Sequence, residues 1–159
     1  MRWRHRSASS VPVIGFIVTS CTAVRFVDTN ILLYAISRDR EEQAKRERAT
    51  AILHERDLAL SVQVLQEFYV QATRSSRADA ITHEQAVKLV EAFLRFRTLD
   101  ITASLMRAAF ATHDRFGVSY RDATIIEAAR ALRCEVVLSE DLSDEQDYAG
   151  VRIENPFNS

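Results

Sequence analysis

From Val24 to the C-terminus, short apolar runs of strand length alternate with helical stretches, a rhythm that confines the chain to a mostly parallel sheet wrapped by helices. Val24 to Val27 is an apolar run with one arginine inserted. It leads through Asp28-Thr29-Asn30 into the helical run Ile31 to Ala35. Arg38 to Asp57 is charged, with Ala44, Ala49, Ile52 and Leu53 near helical spacing, which predicts an amphipathic helix packed on one thin stripe. Leu58 to Val62 reads as a strand. Val64, Leu65, Phe68 and Ala72 then recur at helical intervals until the polar loop Arg74-Ser75-Ser76-Arg77. Thr82, with Gln85 three positions on, caps a helix expected to bury Ala86, Leu89, Val90, Phe93 and Leu94. Leu99 to Ile101 is a strand candidate. Ser104 to Phe116 is a helix closed by Gly117, and Asp122 to Leu132 is the next. Glu135 to Leu138 and Val151 to Ile153 read as the last strands.

What the chain lacks narrows its chemistry. Its 159 residues, 47% of them apolar, suffice for one core and exclude two large domains. The formal charge of −1 supplies no long-range positive field, so a polyanion has to be held by local groups or by metal. Gly15, Gly117 and Gly150 lie too far apart for a glycine-rich dinucleotide or phosphate loop. Cys21 and Cys134 form no disulfide framework and no C-x-x-C spacing, and His5, His54, His83 and His113 show no metal-binding pair.

The first 23 residues stand apart: three arginines, no acid, then an apolar stretch from Val11 to Val18. Their shape resembles a secretion signal, although the apolar run is too short to span a bilayer. The alternative is an extension outside the fold, or an upstream start. The expectation is a leader at 1–23, a folded domain at 24–159, a cytoplasmic location with export as the lesser alternative, and no membrane association. Without the leader the charge is −4.

Ligands of open parallel sheets collect outside the carboxyl ends of the strands, and four acids fall at such junctions. Asp28 ends the first strand, Glu67 lies in the helix after the second, Asp122 opens a helix, and Asp141 follows the strand ending at Leu138. Two unit negative charges ~4 Å apart repel by about 4 kcal/mol at an effective dielectric near 20, so gathered acids need a cation. Oxygen ligands without histidine or thiolate favour Mg²⁺ or Mn²⁺ over zinc. A metal so held lowers the pKa of bound water and stabilises a phosphodiester transition state, which is nuclease chemistry.

Each acid also has a plainer reading. Asp28 and Asp122 are placed to cap helices, and Asp122 to pair with Arg121. Glu67 would face solvent, paired with Gln63 or Arg74. Asp141 would be one member of a solvated acidic turn.

The order FVDTN, SVQVLQEF, SYRDATIIEAA and VVLSEDL resembles the PIN-domain ribonucleases, most closely the VapC-type toxins of bacterial toxin–antitoxin pairs, over Val24 to about Phe157. The resemblance implies a three-layer α/β/α sandwich with a mainly parallel central sheet. It also implies an endoribonuclease using Mg²⁺ or Mn²⁺ and leaving a 5′-phosphate and a 3′-hydroxyl. By the same resemblance Asp28, Glu67, Asp122 and Asp141 are the catalytic, metal-binding acids, with Asn30 and Ser139 as polar supports. Asp28 and Asp122 coordinate most directly, Glu67 acts through water or orients the nucleophile, and Asp141 completes the cluster or binds a second ion. Ser139 stands where relatives often carry threonine, and the leader has no counterpart in the family. Asp141 is preferred over Glu140 because the pattern sets the acid two residues after the hydroxyl.

Arg38, Arg74, Arg77 and Arg121 are candidate phosphate contacts for the RNA substrate, each also readable as an ordinary surface arginine. The expected partner is a small antitoxin that wraps the toxin and sets a basic side chain among the acids. Glu84 to Arg97, with Phe93 and Phe96, or the segment around Tyr69, would offer apolar area to that antitoxin or to a homodimer. Phe93 is the one of these expected in the core. Two rival readings are a metal-dependent phosphatase and a non-catalytic PIN-like module that binds RNA or protein. VDTN lacks the second aspartate of a D-x-D phosphatase, and a non-catalytic relative normally loses acids that are all present here.

Overall fold

Five short strands, β1 (Arg25–Val27), β2 (Leu58–Ser61), β3 (Arg97–Leu99), β4 (Val136–Leu138) and β5 (Arg152–Glu154), form one parallel sheet in the order β3-β2-β1-β4-β5. The computed structural model describes residues 23–158. The leader expected at 1–23 therefore lies outside the described residues except for Ala23, as does Cys21. Six helices connect the strands: α1 (Thr29–Ile36), α2 (Gln43–Leu53), α3 (Val62–Ala72), α4 (His83–Phe93), α5 (Ala103–Phe116) and α6 (Tyr120–Ala131).

Topology fixes the layers. The steps β1 to β2 and β2 to β3 run one way across the sheet, and the step β3 to β4 runs back over two strands. Right-handed crossovers therefore put α1 to α4 on one face and α5 with α6 on the other. The packing agrees, since α1 touches α2 and α3, α3 touches α4, and α5 packs along α6. The expected three-layer α/β/α sandwich is the observed fold. With both faces covered, the three central strands β2, β1 and β4 are mostly apolar and all four residues of β2 are buried, while the edge strands β3 and β5 carry Arg97, Thr98, Arg152 and Glu154. Phe26, Ile31, Leu60, Phe68, Ile125 and Leu138 are fully buried between the layers, and Phe68 meets Phe93 edge-on with ring centroids 5.3 Å apart. The order of strand addition across the sheet reverses between β1 and its parallel neighbour β4. The crevice beyond their carboxyl ends is the switch point where such sheets bind ligands.

Local signals predicted several element ends well. Thr82 and Gln85 form a reciprocal capping box at α4, and Gly117 closes α5 in the left-handed region at φ 67°. Elsewhere the structure corrects the reading. The charged helix is confined to Gln43–Leu53, because Ser37 and Asp39 accept the backbone N–H groups of Asp39 and Glu41, and Ser37 donates to Glu42, which holds the segment before it in turns; Ala44 is exposed. β3 lies two residues earlier than expected: Ser61 pairs with Leu99, and Thr102 already caps α5, leaving Ile101 exposed. Leu94 follows the last turn of α4 and is exposed rather than buried. Phe96, expected on a partner surface, is only 6% exposed and belongs to the core. Cys134 is a free, buried thiol whose pKa burial pushes up to about 11. Among the described residues no helix is long and apolar enough to cross a membrane.

Candidate active site

Asp28 is the first residue beyond β1 and the N-cap of α1, its Oδ1 accepting the Thr29 N–H at 2.7 Å. One side chain thus caps α1 and also faces the other strand ends. On the neighbouring strand, Ser139 follows β4 directly and its Oγ donates to Asp28 Oδ2 at 2.8 Å. Ser139 Oγ in turn accepts the backbone N–H groups of Asp141 and Leu142, at 3.2 and 3.3 Å. Asn30 Nδ2 lies at the long limit of hydrogen bonding to both Asp28 Oδ2 and Ser139 Oγ, at 3.5 and 3.4 Å. Glu67, in the second turn of α3, accepts from Thr29 Oγ1 at 2.8 Å and from Gln63 Nε2 at 3.2 Å. Asp122 sits in the first turn of α6, whose N-cap is Ser119, so the capping role read for Asp122 belongs to Ser119.

Three of the four acids meet at one cation, the guanidinium of Arg121. It donates to Asp28 Oδ1 at 2.9 Å, to Glu67 Oε2 at 2.8 and 3.0 Å, and to Asp122 Oδ1 at 3.3 Å. The side chain reaches from α6 over the sheet edge to α3, so it links the two helical layers at the switch point. One guanidinium against three carboxylates leaves the cluster two charges short of neutral. Full burial raises the Asp28 pKa above its ordinary value, against the pull of Arg121 and of the hydrogen bonds from Ser139 and Thr29. Burial also works against the Arg121 charge, but Asp28 and Glu67 outweigh it and hold the guanidinium protonated more firmly than usual.

Asp141 stands apart from this cluster. It is exposed and lines a cavity of about 230 Å³ together with Thr29, Asn30, Tyr34, Arg77 and Arg121. Its neighbour Glu140 is occupied elsewhere, accepting from Lys45 and Tyr34. Of the four candidate arginines, Arg77 and Arg121 line this cavity, with Arg77 paired to Asp79 at 2.5 Å. Arg38 lines the adjoining cavity, and its backbone N–H also binds Asp79. Arg74 is exposed in the loop after α3 and lines neither. Tyr69 is half-buried, with its hydroxyl on His83 Nδ1 at 2.9 Å.

Of the partners read for Glu67, Gln63 is found and Arg74 is not. Sequence reasoning missed Thr29 as the second holder of Glu67, and Arg121 as the common partner of three acids. A threonine directly after Asp28 was the available signal.

The donor set fits a hard divalent cation in kind: oxygen ligands converge on one cationic point, with negative charge left over. The spacing is that of a guanidinium's reach. Among the described residues no three acid, histidine or cysteine side chains stand close enough together to hold a metal ion.

A family model described as PIN domain matches residues 25–144. No curated protein matches. Several solved structures share the fold. A toxin–antitoxin complex from Klebsiella pneumoniae is 21% identical, with 83% of this chain and 97% of that chain covered and a TM-score of 0.58. Mycobacterium tuberculosis VapC20, described as a sarcin–ricin loop cleaving toxin, is 22% identical over 74% of this chain and 91% of that one, with a TM-score of 0.56. DNA-bound VapBC from Salmonella typhimurium is 23% identical over 84% and 98%, with a TM-score of 0.57.

Proposed function

The chain belongs to the PIN-domain family, and from that premise we propose that it is a divalent-metal-dependent endoribonuclease of the VapC toxin type, restrained by a small antitoxin. The observation that carries this reading is the convergence of Asp28, Glu67 and Asp122 on one cationic point at the switch point of the sheet. Similarity to toxin–antitoxin complexes and to an RNA-loop-cleaving toxin supports the same reading.

In this reading Asp28, Glu67 and Asp122 hold Mg²⁺ or Mn²⁺, and Asp141 completes the set from the cavity edge. The ion, when bound, supplies an activated water and neutralises charge developing on the scissile phosphodiester. Ser139 and Asn30 hold the Asp28 carboxylate in a fixed orientation at the head of the cluster. Arg77 and Arg121 meet phosphate oxygens along the cavity they line. The acidic surroundings also suit an antitoxin that presents a basic side chain.

Incubating the purified protein with labelled RNA, with Mn²⁺ or with EDTA, tests the activity. EDTA-sensitive cleavage leaving 5′-phosphate ends is expected. Growth arrest on expression, relieved by Asp28→Ala or by a coexpressed small neighbouring protein, is the expected sign of the toxin role. A second reading, a non-catalytic PIN-like module that binds RNA or protein, draws on the guanidinium already inside the acid cluster. It prevails if no EDTA-sensitive cleavage occurs after any copurified partner is stripped.

A further inference from the structure

Resting on the metal-dependent reading above, we infer that Arg121 is the resident cation of this site and that a divalent ion binds by displacing its guanidinium. Asp28 Oδ1 and Glu67 Oε2 contact the same guanidinium nitrogen, at 2.9 and 2.8 Å. That nitrogen occupies the space between the two carboxylates that would hold a divalent ion in the proposed reading. Oxygen ligands approach Mg²⁺ to about 2.0–2.1 Å, a shell with no room for an N–H group between the same two oxygens. The absence of a metal-ready trio among the described residues follows from this: the acids are spread around a guanidinium.

Displacement is the only exit open to this cation. A guanidinium does not deprotonate at any pH at which proteins fold, so the occupant leaves by moving, not by titrating. Room exists for that movement, because the Arg121 side chain is 33% exposed and borders the cavity. The two charges that Arg121 leaves uncompensated favour its replacement by a doubly charged ion. Displaced into the cavity that it already lines, the same side chain would be free to meet the phosphate it is proposed to hold. Arg121 thus keeps the buried Asp28 charge compensated in the metal-free protein and becomes available to substrate only when metal arrives. This makes metal affinity, and not only catalysis, a property that Arg121 sets.

The test is Mn²⁺ binding measured by titration calorimetry on the metal-free full chain and on Arg121→Gln. Binding tighter by about tenfold in the variant is expected, because the ion then meets no charged occupant to displace. Equal or weaker binding overturns the inference. Should Arg121→Gln fail to fold without metal, the wild-type chain answers by NMR. On titration with Mg²⁺, the Arg121 Nε–Hε signal, which reports the bond to Glu67, should move toward the position of an unpaired arginine. The Arg130 signal, bonded to Glu127, should stay in place. An Arg121 signal unmoved at Mg²⁺ saturation overturns the inference. The two readings fail distinguishably. If neither protein takes up Mn²⁺, the metal-dependent reading falls together with the inference. If both bind Mn²⁺ equally and RNA cleavage is EDTA-sensitive, the displacement idea falls alone.

Discussion

Ser139 Oγ donates to Asp28 Oδ2 at 2.8 Å, joining the carboxyl ends of two adjacent parallel strands through residues 111 positions apart. Both side chains are fully buried, and the same hydroxyl accepts the N–H groups of Asp141 and Leu142. Ser139→Ala therefore removes a donor from a buried carboxylate and leaves two backbone donors without that partner. A loss of about 1–3 kcal/mol in unfolding free energy is expected by urea denaturation. Ser139→Thr keeps the hydroxyl and should recover much of that loss. Full stability in Ser139→Ala would show that the hydroxyl does not organise the switch point.

Asp28→Asn separates the chemistry from the fold. The amide preserves shape and still offers an oxygen to the Thr29 N–H, so the capped start of α1 should survive. The charge that would hold a divalent ion is lost. Loss of several kcal/mol of transition-state stabilisation corresponds to a fall of about a thousandfold in RNA cleavage. Single-turnover rates on labelled RNA, with circular dichroism confirming the fold, check both halves. Cleavage retained at a wild-type rate would remove Asp28 from the machinery.

Asp79 gives the fold a defined acid sensitivity. Burial opposes its charge, but the Arg38 backbone N–H and the Arg77 guanidinium outweigh burial and hold the carboxyl below its ordinary value of 3.8. A carboxylate depressed in the folded state adds stability that is fully present above the unfolded pKa and is lost as pH falls through the folded one. Asp79→Asn keeps an acceptor for the Arg38 N–H and loses only the ion pair, at most about 1 kcal/mol for such a partly exposed pair. The difference in Tm between wild type and variant should be present at pH 7, shrink as pH falls below 3.8 and close once pH passes below the depressed folded-state value. A difference that stays constant down to pH 2.5 would assign the effect to shape rather than charge.

Periodic and capping signals made most of the fold legible, because they act within a few residues. Asp28 at the start of α1, the Thr82–Gln85 box and Gly117 at the end of α5 are local chemistry and lie where the sequence indicates. β3 was misread because Leu99 and Ile101 are equally apolar. What separates them is pairing with Ser61, and that partner is far away in the chain. Phe96 was read as partner surface for the same kind of reason, since only tertiary packing distinguishes a core phenylalanine from an exposed one. Arg121 is the clearest case. Its neighbour in sequence is Asp122, but its shorter bonds go to Glu67 and Asp28, 54 and 93 positions away. Chain order shows that acids stand at strand ends; only the folded arrangement shows which cation sits among them.

The cavity divides the arginines by position. Arg77 lines it, whereas Arg74, three residues earlier, is exposed in the loop and borders neither it nor the adjoining cavity. If the cavity receives the RNA backbone, Arg77→Ala should weaken binding of single-stranded RNA several-fold, and Arg74→Ala should leave it unchanged. Each phosphate neutralised contributes about 0.7 to the slope of log affinity against log salt for a single strand. Arg77 is already paired with Asp79, so its share of that slope is smaller than for a free arginine. Fluorescence anisotropy across a salt series, on an Asp28→Asn background that prevents cleavage, measures affinity and slope together. A shallower slope in Arg77→Ala alone would assign the phosphate path to the cavity. Equal losses in both variants would move that path out onto the loop at Arg74 to Asp79.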